Sequence, residues 1–134
     1  MLMITLIQIL LGTQVREDIE RIASNHSGLN RAQWLNEANI FFYVHRSLSW
    51  LILFLSVWMW RKAQTHGYSI VSNTLKWLLF TFVFQMMTGI LMNYTGLPEY
   101  AQALHLLVGS ISFGIAAYYV IQTNSIWLPK QHKV

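Results

Sequence analysis

The sequence predicts an all-α membrane protein, a transmembrane four-helix bundle. Of its 134 residues, 54% are hydrophobic and only 10% are charged, whereas a soluble domain carries about 25% charged residues. The apolar runs do not alternate with polar residues as barrel strands would, and lipid accepts only helices or closed barrels. Membrane lipid is therefore the first partner that the composition indicates. The sequence has no stripe of basic residues of the kind that binds nucleic acid.

Four apolar segments predict the helices of a single domain over residues 1–134. They are residues 1–15, 39–60, 77–95 and 100–123, with an outer connection over 16–38. The first segment is short for a span, because about 15 residues extend roughly 22 Å against a hydrocarbon core of about 30 Å. We expect it to be the end of a helix cut from a longer chain. Apolar residues at helical spacing in the outer connection predict short helices along the membrane surface.

Charged residues predict the orientation of the chain. All five acidic residues fall on one side of the predicted membrane. The connection over 61–76 and the C-terminal tail lie on the other side and carry Arg61, Lys62, Lys76, Lys130 and Lys133. Basic residues collect on the cytoplasmic side, so we expect a cytoplasmic C-terminus. A multi-pass protein of a bacterial inner (cell) membrane is favoured because no transit-like segment is present.

A short internal repeat relates the two halves of the chain. Gln8 and Gly12 in the first segment, and Gln85 and Gly89 in the third, form the pattern Q-x-x-x-G. Each pattern is followed by an inward-running segment with a histidine near its outer end. Two hairpins related by an axis along the membrane normal would bring these histidines face to face.

The two histidines, His45 and His105, are the candidate metal ligands. An ionisable residue in a membrane segment is a functional hypothesis by default, although a single imidazole can simply hydrogen-bond a neighbouring helix. The pair at matched depth favours haem iron, held by one imidazole on each axial side, as in other four-helix bundles. Two axial histidines leave iron no open position, so the predicted chemistry is one-electron transfer. The absence of cysteine excludes thiol chemistry and disulfides.

Other residues are predicted to surround such a cofactor. Arg46 and Arg16 lie on the outer side and are candidates for charge-assisted hydrogen bonds to haem propionates. For Arg46 the alternatives are lipid headgroups or an ion pair with Glu37. The small residues that would let a ring approach a backbone are Gly12, Gly89, Gly109 and Gly114. The apolar candidates for the slot are Phe41, Phe42, Trp50, Phe84, Met86, Met87 and Phe113.

Three stretches together, QILLGTQVRE, YVHRSLSW and ALHLLVGSISFG, resemble the C-terminal half of the heme A synthase family. These membrane enzymes oxidise a methyl group of heme O to give heme A for cytochrome oxidase. The residues that match the family pattern are Gln8, Gly12, Val15, Arg16, His45, Arg46 and His105. The resemblance covers nearly the whole chain.

The resemblance implies half of an eight-helix tandem-repeat membrane protein. In this half, His45 and His105 would be the axial ligands of haem b. The other half resembles this one but binds the substrate haem, and it carries an outer-loop glutamate and often a cysteine pair. This chain has no cysteine and no evident counterpart of that catalytic half. The chain is therefore expected to relay electrons within an oxidoreductase while lacking the catalytic half. The implied partners are the N-terminal half or its equivalent, heme O synthase, and a quinol or another electron donor.

Two further interpretations remain open, and catalytic residues stay unassigned. One is a free-standing bis-histidine b-type membrane cytochrome in quinol-linked electron transfer. The other is an assembly or scaffold protein without enzymatic activity, whose histidines only tie helices together.

Overall fold

The computed structural model describes residues 1–25, 38–95 and 98–127, with side chains described up to residue 124. Within these ranges the chain forms only helices: α1 (Leu2–Asn25), α2 (Ile40–Thr65), α3 (Ser69–Thr95) and α4 (Glu99–Trp127). Each helix packs against the next one, and α4 packs back against α1. The four helices therefore form an antiparallel bundle in which α2 and α4 lie diagonally opposite each other.

The chain is a multi-pass membrane protein. Helices α2, α3 and α4 are each long and apolar enough to cross a membrane. Helix α1 differs from the sequence prediction because it does not end near Val15 but continues to Asn25. Exposed ion pairs one turn apart, Arg16–Glu20 and Arg21–Asp18, bridge the charged stretch at 2.8 Å each. Such pairs favour helix, so residues 16–25 of the predicted outer connection belong to α1.

We call the end of the bundle at Asn39 the outer end and the end at Gly67 the inner end, after the predicted orientation. At the outer end, the Asn39 side chain accepts a hydrogen bond from the backbone N–H of Ile40 and caps α2. At the inner end, α2 stops before Gly67, whose φ of 72° belongs to the left-handed region that glycine enters at little cost. Helix α3 starts at Ser69, earlier than the predicted residue 77, because its polar first turns continue the helix beyond the apolar run.

The apolar core lies towards the inner end of the bundle. Leu75 and Leu78 of α3 pack there with Ile52 of α2 and Ala116 of α4. Small residues such as Ser56 and Ala116 are fully buried, and small side chains let membrane helices approach closely. The inner part therefore fixes the relative positions of the helices, and the histidines lie nearer the outer end.

Burial follows the internal repeat along both hairpins. In what we call the repeat register, Gln8 corresponds to Gln85 and His45 to His105. Three pairs of buried positions coincide in this register: Thr5 with Phe82, Ile52 with Ser112, and Ser56 with Ala116. The two hairpins therefore present equivalent faces to the bundle interior.

Candidate functional site

His45 is held at the interface between α1 and α2. Its side chain is half-buried, and a Cβ atom added at Gly12 would lie 3.3 Å from its Cε1 atom. One turn further in, Gln8 Nε2 donates to the His45 carbonyl oxygen at 3.0 Å and to Ser49 Oγ at 2.6 Å. Ser49 Oγ in turn donates to the same carbonyl at 2.9 Å. Thus a glycine admits the imidazole, and a glutamine ties α1 to the histidine's own turn.

His105 occupies the equivalent place between α3 and α4. It is also half-buried, and a Cβ atom at Gly89 would lie 3.5 Å from its Cε1 atom. Its Nδ1 atom lies 2.8 Å from Thr88 Oγ1. Gln85 Nε2 lies 2.9 Å from the place of a Cβ atom at Gly109, which corresponds to Ser49 in the repeat register. Each histidine is therefore seated on the glycine of a Q-x-x-x-G motif.

The two imidazoles take corresponding places in the two hairpins. They lie on the diagonally opposite helices α2 and α4, at corresponding positions in the repeat register. Each ring packs against a glycine of the preceding helix and is half-buried. That the two rings face each other across the bundle stays a prediction.

Several polar atoms around the imidazoles have no hydrogen-bond partner among the described residues. They are His45 Nδ1, Gln8 Oε1 and Gln85 Oε1, all buried. Leaving a buried polar group unsatisfied costs about 1–3 kcal/mol, and such groups in a native structure call for an explanation. A ligand or ordered water bound at this level would supply one.

Two histidines suit a metal ion whose other ligands come from a cofactor and not from the protein. Across the described residues, no group of three or more His, Cys, Asp or Glu side chains could hold a metal ion. Zinc sites usually need at least three protein ligands. Iron in a porphyrin needs only two axial ones, and two histidines are a usual axial pair in bundles. The residues present therefore fit a bis-histidine haem.

The surrounding residues divide into those that face the site and those that do not. Of the four glycines, Gly12 and Gly89 face imidazoles, Gly109 faces Gln85, and Gly114 has no atom within 4 Å of an added Cβ. The aromatic and methionine candidates divide by their exposure. Phe41, Trp50 and Met87 are exposed on the outside of the bundle, and Phe42, Phe84, Met86 and Phe113 are half-buried.

Both candidate arginines are exposed near the outer end. Arg46 adjoins His45, while its alternative partner Glu37 lies outside the described residues. Arg16 lies one turn outward of Gly12 and pairs with Glu20 at 2.8 Å, with both side chains more than half exposed. An exposed pair of this kind contributes about 0–1 kcal/mol. Another carboxylate can therefore replace Glu20 as the partner of Arg16 at little cost.

Sequence reasoning missed two polar residues that touch the histidines' surroundings, Thr88 and Ser49. Hydroxyl residues in membrane helices commonly bond the backbone of their own helix, so neither residue type indicates a site by itself. The signals that were present are positional. Thr88 precedes the motif glycine Gly89, and Ser49 lies one turn from His45.

Comparison with known proteins finds one family. The model of a family described as cytochrome oxidase assembly protein matches residues 1–117, a range that contains both histidines and both Q-x-x-x-G motifs. Searches of curated proteins and of solved structures gave no match.

Proposed function

Because the chain belongs to the cytochrome oxidase assembly protein family, the heme A synthases, we propose that it forms the haem-b-binding half of such an enzyme. The family consists of oxidoreductases of heme A biosynthesis. In this proposal the chain relays electrons for the oxidation of the heme O methyl group. The observation that carries it is the pair of imidazoles, His45 and His105, each seated on a glycine of the preceding helix.

The residues at the site have separate tasks in this proposal. His45 and His105 ligate the iron, and haem b supplies one-electron transfer when it is bound. Gly12 and Gly89 leave room for the imidazoles at the helix interfaces. Gln8 joins α1 to the His45 carbonyl and to Ser49, which limits the rotation of α2 at the ligand.

Basic residues near the two ends of the bundle have two tasks in this proposal, namely binding the haem propionates and orienting the chain in the membrane. Arg46 and Arg16 bind the haem propionates at the outer end, with Arg16 exchanging its exposed partner Glu20 for a propionate. The inner end and the C-terminus face the cytoplasm in this proposal, which the basic residues Arg61, Lys62 and Lys76 near the α2–α3 turn support. The membrane is the bacterial inner membrane.

The oxidation itself takes place on a second four-helix unit in this proposal. The N-terminal half of heme A synthase, or its equivalent, binds heme O, which heme O synthase supplies. A quinol or another donor reduces haem b. The chain has no cysteine, so the cysteine pair of many family members belongs to that other unit.

The first experiment tests for the haem. Purified in detergent, the chain is expected to show the reduced-minus-oxidised spectrum of a low-spin b haem. His45→Ala and His105→Ala should abolish or alter this spectrum. His66→Ala is the matched control, because His66 lies at the inner end of α2, where its Nδ1 atom is 2.8 Å from the Lys62 carbonyl oxygen and 3.3 Å from Thr65 Oγ1. An unaltered spectrum in both ligand variants, or no haem in the wild-type chain, would contradict the proposal.

The second experiment tests for the enzyme. The chain is co-expressed with a candidate N-terminal half, and conversion of heme O to heme A is followed by chromatography. We expect conversion only when both parts are present and both histidines are intact. Haem binding without any conversion, across candidate partners, would instead favour the free-standing cytochrome.

A further inference from the structure

Thr88 makes a direct contact with one of the two histidines. Its Oγ1 atom lies 2.8 Å from His105 Nδ1, and only 5% of its surface is exposed. The same Oγ1 atom donates to the Gln85 carbonyl oxygen at 2.9 Å, three residues earlier in α3. Thr88 is thus joined to the helix backbone on one side and to the imidazole on the other.

The two hydrogen bonds together favour one placement of the protons. A threonine hydroxyl has one hydrogen to donate, and a carbonyl oxygen can only accept. Because the hydroxyl hydrogen is directed to Gln85, the bond to His105 requires Oγ1 to accept a hydrogen from Nδ1. The imidazole is then in its Nδ1–H tautomer, and the lone pair of Nε2 is left for a metal.

The other histidine has no such partner. In the repeat register, Leu11 takes the place of Thr88, and its side chain has no hydrogen-bonding group. His45 Nδ1 is buried without a partner among the described residues, and Nε2 lies 3.4 Å from Gln8 Nε2. The two imidazoles are therefore equivalent in position but differ in hydrogen bonding.

We propose that Thr88 is a positioning residue that holds His105 in the iron-binding tautomer and makes it the stronger electron donor of the two ligands. A hydrogen bond from the second nitrogen of a ligating histidine fixes the tautomer and ring orientation and raises the basicity of the ligand. A more basic ligand stabilises oxidised iron and lowers the reduction potential. The role at iron rests on the proposed function, whereas the tautomer of His105 does not.

The tautomer is measured first, on the full chain produced without haem. Nitrogen-15 NMR of labelled histidine, at a pH where imidazole is neutral, distinguishes Nδ1–H from Nε2–H. We expect Nδ1–H for His105 in the wild type and in Thr88→Ser, and a shift towards Nε2–H in Thr88→Val. The matched control is Thr81→Val, because Thr81 Oγ1 makes the same kind of bond, to the Leu78 carbonyl at 2.8 Å, and bonds to no histidine among the described residues.

The haem-loaded chain supplies the second readout. Thr88→Val should retain haem about 10- to 100-fold less tightly, the usual effect of removing a partner of a metal ligand. Its reduction potential should rise, while Thr88→Ser and Thr81→Val stay near the wild type. A merely structural role for Thr88 would weaken folding without moving the potential of the haem that remains bound.

The repeat offers a variant that adds the missing partner. Leu11→Thr places a smaller side chain at the position equivalent to Thr88, so a hydroxyl fits without crowding. We expect His45 to move towards the Nδ1–H tautomer and the reduction potential to fall below that of the wild type. A potential that stays unchanged once the tautomer has shifted would overturn the link between this bond and donor strength.

The outcomes separate this inference from the proposed function. If Thr88→Val and Thr81→Val give the same tautomer and the same potential, the role of Thr88 is refuted while haem binding stands. If the wild-type chain shows the Nδ1–H tautomer at His105 but binds no haem, the tautomer assignment stands and the proposed function fails. An Nε2–H tautomer in the wild-type chain refutes the inference directly.

Discussion

Valine at position 12 is the change that tests most directly whether His45 needs a glycine opposite it. A Cβ atom at Gly12 would lie 3.3 Å from His45 Cε1 and 3.8 Å from Nδ1. The first distance is slightly shorter than an ordinary van der Waals contact. Gly114 is the matched control, because a Cβ atom there meets nothing within 4 Å and the residue also lies inside a helix.

The structure indicates that a larger side chain at position 12 weakens haem binding more. Alanine at position 12 adds only the Cβ atom, so the imidazole has to move by a few tenths of an ångström. The gain in helix propensity of about 1 kcal/mol offsets much of that cost. Valine adds two more methyl groups at the same contact, and overpacking of this kind costs about 1–3 kcal/mol. At tenfold per 1.4 kcal/mol, haem should bind about 5- to 150-fold more weakly.

The assay is a haem titration of each purified variant, followed by absorbance, with thermal unfolding of the same samples. Gly12→Val should lose haem affinity, Gly12→Ala should stay close to the wild type, and Gly114→Val should retain haem. Both valine variants make the same change in helix propensity from glycine to valine, so their difference isolates the contact with His45. Equal haem affinities for Gly12→Val and Gly114→Val would refute the argument that His45 needs the space left by Gly12 in order to bind haem.

Three other changes test contacts elsewhere in the bundle, each by its free energy of unfolding in detergent. Ser49→Ala removes the acceptor of the 2.6 Å bond from Gln8 and should cost about 1 kcal/mol; no loss would mean that this bond contributes nothing. Thr74→Val removes the 2.8 Å bond to Gln122 and should cost about 0.6 kcal/mol without altering the haem spectrum, so a spectral change would contradict the separation of core and site. Gly67→Ala should cost about 1–2 kcal/mol through its φ of 72° alone, and Gly67→Asn should recover part of this; a neutral alanine variant would refute the strain.

Much of the fold could be predicted because its causes are local. Long apolar runs and the scarcity of charge indicate membrane helices whatever surrounds them, and the structure confirms an all-α bundle of four helices. The family assignment made from QILLGTQVRE, YVHRSLSW and ALHLLVGSISFG is confirmed by the family match over residues 1–117. The end of α1 was predicted too early, because charged residues that leave the membrane can still continue a helix through pairs such as Arg16–Glu20.

The candidate site could be predicted only in part. His45 and His105 are recognisable from sequence because ionisable residues are rare in lipid and because the repeat places them at one depth. Their role as haem ligands stays a prediction, as do the roles of Arg46 and Arg16. Sequence periodicity does not distinguish Gly12 from Gly114. In the structure, an imidazole packs against Gly12, whereas a Cβ atom at Gly114 would have no neighbour within 4 Å.

Sequence alone thus determined which segments are helices, which family they belong to and which two histidines are the candidate ligands, since each depends on residue type and spacing along one chain. Only the tertiary structure decided that Thr88 meets His105 while His45 has no equivalent partner. The reason is that a side chain's neighbour on another helix depends on how the two helices are rotated and how closely they approach. Packing of the whole bundle sets both quantities.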